Sequence, residues 1–340
     1  MSGQRNQCPQ ETPGLGYSTV KGGVGMSVVA MTGCSGYIGS HLLRFMDESA
    51  DVARIVGVDV NECRYSTPKM EFHKLDVRDP SITDLFIRNG VDTVVHLAFI
   101  VNPLHDDALM HDIDVNGARN VLSATAACGA GHLVLASSSS AFGAFPDNPE
   151  WLTEKDHPRL MRNYTYASDK YEVEMTARIF REENPGVKVA TVRPCIVYGP
   201  NVDNYISRFI LRMPVLPLMG GANPEMQFVH EDDVVEVFFK VIEQAAEGFF
   251  HATGEGTISA AEIAEMAGIP TLNLPASVIY PMMDILWRLH APLIEGPSGM
   301  LDLIRYRWTI SDENTRLALG LGPRHASRDV VRLMLETHKR

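Results

Sequence analysis

The feature that most constrains this sequence is a short apolar run that ends in three regularly spaced glycines. The run covers residues 28–32, and Gly33, Gly36 and Gly39 follow it, with apolar residues at helical spacing thereafter. This pattern predicts a strand, a tight turn and a helix. Such a turn lets the backbone approach a ligand, and the helix N-terminus attracts an anion such as a pyrophosphate. The alternative is a glycine turn with no ligand.

A second predicted strand ends in an acid. Ile55 to Asp59 forms an apolar run, and Asp59 lies 26 residues after Gly33. This spacing is close to that of the acid that binds the adenosine ribose hydroxyls in dinucleotide-binding folds. A carboxylate there would repel a 2′-phosphate, so NAD is favoured over NADP, although Arg64 could soften this preference. The alternative is a solvated aspartate at the end of a strand.

The composition excludes several classes of function. The net charge of −12 argues against nucleic acid or an anionic membrane as the main partner. The five cysteines are scattered and lack metal-type spacing, so we expect no metal site and a reducing, cytoplasmic location. No apolar run is long enough to span a bilayer. Residues 1–25 are polar and glycine-rich, and we expect a flexible leader there.

From residue 26 onward, predicted strands and helices alternate. Further strands are predicted at 72–77, 93–98, 133–136 and 188–193, and helices at 80–89, 113–128 and 164–183. Apolar strands alternating with helices predict an α/β fold with a doubly wound parallel sheet covered on both faces. Ligands of such sheets bind beyond the carboxyl ends of the strands. The residues expected at those ends are Gly33, Asp59, Asp76, Ala98, Ser137 and Pro194.

The catalytic candidates lie after the fifth predicted strand and on the helix that follows. Tyr166 and Lys170 are four residues apart and therefore share one helix face. A lysine cation beside the phenol would lower its pKa and make it a usable base. Ser138, within a run of four serines, could hold the substrate oxygen. The alternatives are a chance Tyr-x-x-x-Lys and an ordinary serine-rich loop.

At these residues the sequence resembles the extended short-chain dehydrogenase/reductases of the NAD-dependent epimerase/dehydratase type, in a subgroup similar to UDP-glucose 4-epimerase. The matching motifs cover residues 32–39, 75–77, 96–98, 115–117, 137–138, 142–143, 166–170, 193–200 and 227–234. The resemblance implies a Rossmann-type NAD-binding domain over 26–198, with return segments near 226–255. It implies a smaller substrate-binding region at 199–225 and 256–340. It also implies a homodimer formed through the helices that carry Tyr166 and Ile113.

The resemblance implies NAD contacts along the predicted sheet edge. These involve Gly33, Ser35, Gly36, Tyr37, Ile38, Gly39, Asp59, Asp76, Val77, Leu97, Ala98, Phe99, Ser137, Tyr166, Lys170, Pro194 and Val197. It also implies that Lys170 bonds the nicotinamide ribose and that Pro194 lies beside the nicotinamide.

Four positions depart from the family pattern. Phe142 replaces a tyrosine, Phe99 replaces a small residue, and Asp114 stands where many relatives have asparagine. Met226 stands where nucleotide-sugar enzymes carry an arginine that binds a diphosphate, and a thioether cannot pair with phosphate. Either another arginine takes that role or the substrate is not a nucleotide sugar. The arginines available are Arg208, Arg212, Arg305 and Arg307. The substrate-contact candidates are Ser139, Phe142, Met226, Arg208 and Arg305.

The C-terminal segment Val278–Ile294 is strongly apolar, with Met282, Ile285, Leu286 and Leu289 at helical spacing. It predicts a helix that packs on the core or forms an apolar wall for a hydrophobic substrate.

The resulting hypothesis is hydride transfer between NAD and a small-molecule secondary alcohol. Tyr166 acts as the base, Ser138 orients the oxygen, and Lys170 acts on the phenol and the ribose. An epimerase acting on a sugar or nucleotide sugar fits first. The alternatives are a dehydrogenase or ketoreductase acting on a hydrophobic alcohol or ketone, and a cofactor-bound scaffold without turnover.

Overall fold

The computed structural model describes residues 27–63, 65–200, 208, 211, 214–292 and 294–337. The predicted leader, Arg64 and Arg212 lie outside the described residues.

The centre of the fold is a sheet of seven strands, all paired in parallel. The first six are β1 (Ser27–Thr32), β2 (Val52–Asp59), β3 (Met70–Lys74), β4 (Thr93–His96), β5 (His132–Ala136) and β6 (Lys188–Pro194). Short strands follow at β7 (Ile196–Tyr198), β8 (Leu216–Met219), β9 (Glu225–Met226) and β10 (Phe228–His230). The last are β11 (Gly248–Ala252), which completes the sheet, β12 (Ile258–Ser259) and β13 (Thr271–Leu274). The predicted α/β class is confirmed.

The described helices lie mostly between the strands. Those of the first half are α1 (Tyr37–Glu48), α2 (Ser81–Asn89), α3 (Asp107–His111), α4 (Gly117–Cys128) and α5 (Thr165–Glu183). Those of the second half are α6 (Glu231–Glu243), α7 (Ala260–Ala267), α8 (Ala276–Arg288), α9 (Glu313–Leu319) and α10 (Ser327–Thr337). A π-helical turn (Asp112–Asn116) joins α3 to α4, and two 3-10 turns cover Ser139–Phe142 and Ser298–Ile304.

The strand order β11-β6-β5-β4-β1-β2-β3 fixes where a ligand can bind. Starting at β1, the sheet extends toward one edge through β2 and β3. It then extends toward the other edge through β4, β5, β6 and β11. The two directions diverge between β1 and β4, and a crevice opens there beyond the carboxyl ends of the strands. Gly33 follows β1 and Leu97 follows β4, so both border this crevice. We call the loops beyond β1, β2, β4, β5 and β6 the carboxyl edge.

Two apolar layers cover the sheet. On one face, α1 and α6 pack through residues such as Leu42, Met46 and Phe238. On the other face, α2, α4 and α5 pack through residues such as Phe86 and Val121. Because both faces are covered, the strands are apolar along most of their length rather than alternating, as the sequence indicated.

Several predicted boundaries differ from the structure. Strand β3 ends at Lys74, so Asp76 lies in the following turn rather than at a strand end. Strand β4 ends at His96 instead of Ala98. The helix expected over 113–128 is wrong as a single element, because it begins inside the π-helical turn and becomes α4 only at Gly117. In this turn Asp114 is directed inward, where its Oδ1 accepts the Ile100 amide at 2.7 Å.

The apolar C-terminal helix also differs from expectation. Ile279 and Met283 face the core, whereas Met282, Ile285 and Leu289 are exposed by 44%, 57% and 71%. Neither predicted role fits those three residues, since they neither pack on the core nor line an enclosed wall. Of the helices in the described ranges, none has the length and apolar character needed to cross a membrane.

A buried ion pair joins α5 to the sheet. Glu174 accepts from Arg193 Nε at 2.8 Å and Nη2 at 2.5 Å, and both side chains are almost fully buried. Ser137 Oγ also donates to Glu174 at 2.5 Å. Since two charges removed from water are stable only while both are present, this pair fixes α5 against β5 and β6.

We predict that Glu174→Ala destabilises the fold by about 3–5 kcal/mol, because Arg193 becomes a buried, unpaired charge. The matched control is Glu172→Ala on the same helix. Glu172 pairs with Arg119 at 2.7 Å at the surface, so its loss should cost roughly 0–1 kcal/mol. Urea unfolding measures both values. Equal effects of the two substitutions would contradict the assignment.

Candidate active site

The glycine turn after β1 is pressed against the loop after β4. Gly33 has a φ of +73°, and a Cβ there would lie 2.5 Å from the Ala98 amide nitrogen. At Gly36 a Cβ would meet only the Gly33 carbonyl oxygen, at 3.1 Å. The first intrahelical hydrogen bond of α1 runs from the Ser40 amide to the Gly36 carbonyl oxygen. The amides of Tyr37, Ile38 and Gly39 come before it and therefore have no partner within the helix. This helix N-terminus, with open space beside Gly36, fits a dinucleotide pyrophosphate.

Asp59 lies at the end of β2, next to the glycine turn. Its carboxylate accepts the Ser35 amide at 3.0 Å and the Asn61 amide at 2.9 Å. These two bonds fix its position and leave it partly exposed. A fixed anion at this place suits ribose hydroxyls and repels a 2′-phosphate.

The predicted catalytic residues come together at the carboxyl edge. Tyr166 lies in the first turn of α5, and its hydroxyl shares a hydrogen bond with Ser138. Ser138 also accepts the Ser140 amide at 3.1 Å, which fixes its side chain at the start of the 3-10 turn. Lys170 Nζ donates to the Ala136 carbonyl oxygen at 2.9 Å. It lies 5.8 Å from the centroid of the Tyr166 ring, so the phenol and the ammonium face the same region.

Phe99 contacts both Tyr166 and Lys170. Its ring meets Tyr166 edge-on at 5.7 Å between centroids, and Lys170 Nζ lies 3.4 Å from the centroid of its face. The cation–π contact stabilises the ammonium in an interior position. Phe99, which departs from the family pattern by replacing a small residue, is therefore part of the candidate site.

The expected fall in the pKa of Tyr166 is not seen in the chain alone. Burial raises the pKa of this phenol to about 12, while the hydrogen bond from Ser138 lowers it. The negative charge of Asp114 raises it further. Lys170 does not offset this rise. Burial lowers the pKa of its own ammonium, which donates to the Ala136 carbonyl and lies over the Phe99 ring.

The remaining cofactor candidates lie along the same edge, with different surroundings. Leu97 N–H bonds the Thr32 carbonyl at 3.0 Å, Pro194 ends β6, and Val197 lies in β7. Asp76 is bound by Arg78, which lowers the pKa of its carboxyl, so its side chain is already engaged. The Ser137 hydroxyl points to Glu174 rather than outward. The Val77 side chain is buried and packs against Gly117, where an added Cβ would lie 2.6 Å from Val77 Cγ2.

The substrate candidates are less accessible than expected. Ser139 and Phe142 are fully buried, and the Phe142 ring lies edge-on to His251. Met226 is 4% exposed and pairs with Ile258 in a two-stranded sheet. These side chains do not form an open substrate wall in this arrangement.

Of the four arginines that could bind a diphosphate, the three that the structure describes already have partners. Arg208 bonds Glu295 at 3.1 Å and Asn102 at 3.2 Å. Arg305 lies over the rings of Tyr280 and Tyr306, and Arg307 pairs with Glu150 at 3.5 Å.

Sequence reasoning missed two buried acids beside the site. Glu174 lies four residues after Lys170, a helical spacing that could have shown that both face inward. Asp169 is buried and bonded to His111 at 2.7 Å. Its position next to Lys170 gave no such signal, because consecutive helix residues normally face different directions.

Comparisons with known proteins give a family match and several relatives. A sequence model described as the NAD dependent epimerase/dehydratase family matches residues 29–253, well over half of the chain. A dTDP-4-dehydro-6-deoxy-D-allose reductase from Streptomyces sp is 28% identical over 317 residues, which cover 86% of this chain and 93% of the relative. An uncharacterized protein from Mycobacterium tuberculosis is 26% identical over 305 residues, covering 87% and 80%.

Solved structures share the fold. The Thermus thermophilus UDP-glucose 4-epimerase in complex with NAD superposes with a TM-score of 0.69 and 21% identity, covering 91% of this chain and 98% of that one. MoeE5 in complex with UDP-glucuronic acid and NAD gives a TM-score of 0.68 and 23% identity, covering 92% and 99%.

We predict that Gly36→Ala weakens NAD binding at least tenfold with little change in thermal stability. The added methyl group would enter the space beside the helix N-terminus while meeting only one protein atom closely. The control is Gly131→Ala, where a Cβ meets nothing within 4 Å. Calorimetric titration with NAD measures the affinities. Unchanged NAD affinity in Gly36→Ala would place the pyrophosphate elsewhere.

Proposed function

Since the chain belongs to the NAD dependent epimerase/dehydratase family and is an NAD-dependent enzyme, we propose that it transfers hydride at a secondary alcohol carbon of a sugar-type substrate. The observation that carries this proposal is the meeting of Tyr166, Ser138 and Lys170 at the carboxyl edge, beside the glycine turn. A scaffold without turnover would not need a phenol, a hydroxyl and an ammonium to converge there.

Each residue has a distinct role in the proposed reaction. Bound NAD supplies the hydride acceptor and, with its positive nicotinamide ring, favours the phenolate. Tyr166 Oη takes the proton of the substrate hydroxyl, and Ser138 Oγ holds the same oxygen. Lys170 would hold positive charge near the phenolate and would contact the ribose of bound NAD. In the reverse direction Tyr166 donates the proton to a carbonyl.

Two outcomes share this first step. In an epimerase, the ketone stays bound, turns over and is reduced on its other face. In a dehydrogenase or reductase, the ketone is released or taken up, and the cofactor changes its redox state. The relatives named above include a UDP-glucose 4-epimerase and a dTDP-sugar reductase, which is why a sugar is the proposed substrate.

A second candidate substrate is an alcohol or ketone without a nucleotide diphosphate, including a hydrophobic one. This candidate is favoured by Met226, which is buried and uncharged where nucleotide-sugar enzymes have an arginine. It is also favoured by the acidic partners of Arg208 and Arg307, because a diphosphate would have to displace Glu295 or Glu150.

The test is hydride transfer in the presence of NAD, measured as absorbance at 340 nm with UDP-glucose, dTDP-glucose and a hydrophobic secondary alcohol. Tyr166→Phe should lower the rate by roughly 10²–10⁴-fold, because the base is lost. Tyr171→Phe on the same helix is the matched control and should leave the rate unchanged.

The outcomes separate the candidates. A Tyr166→Phe protein that keeps the full rate would contradict the proposal. Conversion of UDP-glucose to its 4-epimer without net reduction of added NAD supports an epimerase. Turnover of the hydrophobic alcohol, with no binding of UDP in calorimetry, supports the second candidate.

The cytoplasmic location and the homodimer formed through α4 and α5 stay predictions. Sedimentation velocity measures the oligomeric state.

A further inference from the structure

We infer that Phe99 is a gate, which covers the Lys170 ammonium in the chain alone and turns away when NAD binds. The inference rests on the function proposed above, in which that ammonium contacts the ribose of the cofactor. The family resemblance places Phe99 beside the cofactor, but it assigns no role to the aromatic ring, because this residue replaces a small one of the family pattern.

The Lys170 ammonium is closed off from solvent. The lysine is only 3% exposed, and its Nζ donates to the Ala136 carbonyl oxygen at 2.9 Å. The Phe99 ring covers another side of the ammonium, with its centroid 3.4 Å from Nζ. An ammonium has three N–H donors, and the hydroxyls of a ribose can reach them only when a covering group moves aside.

The Phe99 ring can move at lower cost than the Ala136 carbonyl. That carbonyl belongs to β5 and is held in the parallel sheet. The ring is half-buried and is attached through rotatable single bonds. It contacts Lys170 through a cation–π attraction and Tyr166 edge-on at 5.7 Å between centroids. Neither contact is a hydrogen bond, so the ring can turn without leaving a polar group of its own unpaired.

The backbone on both sides of Phe99 is fixed, which confines the motion to its side chain. Before it, Leu97 N–H bonds the Thr32 carbonyl oxygen at 3.0 Å. After it, the Ile100 amide bonds Asp114 Oδ1 at 2.7 Å. Because these bonds hold the loop after β4, access to the ammonium depends on the direction of the ring rather than on movement of the whole loop.

Such a gate lowers the affinity for NAD. The apparent affinity falls in proportion to the fraction of molecules in which the binding site is open. A desolvated cation–π contact favours the closed ring by a factor of up to about 30. Removal of the ring should therefore tighten NAD binding, whereas removal of a side chain that only contacts the cofactor should weaken it.

The experiment measures NAD binding to the full chain by calorimetry, and association rates by stopped-flow fluorescence of NADH. Phe99→Ala should bind NAD about tenfold more tightly than the wild type, chiefly through faster association. Phe99→Leu keeps an apolar side chain but loses the aromatic face, so its affinity should lie between the two. The control is Phe249→Leu in the edge strand β11, which removes a ring that Arg178 contacts at 4.6 Å and should leave NAD affinity unchanged. Unchanged or weaker NAD binding in Phe99→Ala would overturn the gate.

A second measurement tests the cover without any cofactor. The folded protein is treated with an amine-reactive acetylating ester, and the modified lysines are identified by mass spectrometry. Lys170 should react about tenfold faster in Phe99→Ala than in the wild type, with the exposed Lys155 as the internal reference. Equal protection of Lys170 in the two proteins would overturn the gate. If both results hold in a protein that transfers no hydride from any alcohol tested, the gate stands and the proposed function fails.

Discussion

The site depends on one constraint, the burial of the Lys170 ammonium at the carboxyl edge of a parallel sheet. A lone ammonium in the interior would be very costly. Here the Ala136 carbonyl accepts its hydrogen bond at 2.9 Å, Phe99 presents an aromatic face at 3.4 Å, and the Asp114 charge is nearby. These three groups come from the ends of β4 and β5 and from the turn before α4. The lysine therefore joins the loop after β4, the end of β5 and the turn before α4.

The same burial sets the chemistry of Tyr166. A phenol removed from water resists ionisation, and its pKa of about 12 in the chain alone is far from that of a good base at neutral pH. The hydrogen bond from Ser138 opposes this effect, and a positive nicotinamide ring would oppose it further. The chain by itself thus holds its base in the protonated form. In the proposed reaction, Tyr166 would become a base only with the cofactor bound, which would confine proton abstraction to the complex in which a hydride acceptor is present.

Much of this arrangement could be predicted from the sequence. The alternation of apolar strands and helices predicts the parallel sheet, and the four-residue spacing of Tyr166 and Lys170 predicts that they share one helix face. The errors have physical causes. The helix over 113–128 has no sequence signal for its π-helical turn, because the inward direction of Asp114 depends on the Ile100 amide of a distant loop. Met282, Ile285 and Leu289 form a helical apolar stripe, but tertiary packing selected Ile279 and Met283 for the core instead. The partners of Arg208 are likewise fixed by tertiary contacts and were beyond prediction.

The central claim is that Tyr166 is a partly buried phenol that the cofactor converts into a base. The most direct measurement is the ultraviolet difference spectrum of tyrosinate between wild type and Tyr166→Phe, recorded after stopped-flow pH jumps with and without NAD. The account predicts a midpoint near pH 12 without NAD, and a clearly lower midpoint when NAD is bound. A midpoint at the ordinary value near pH ~10, unaffected by NAD, would contradict it.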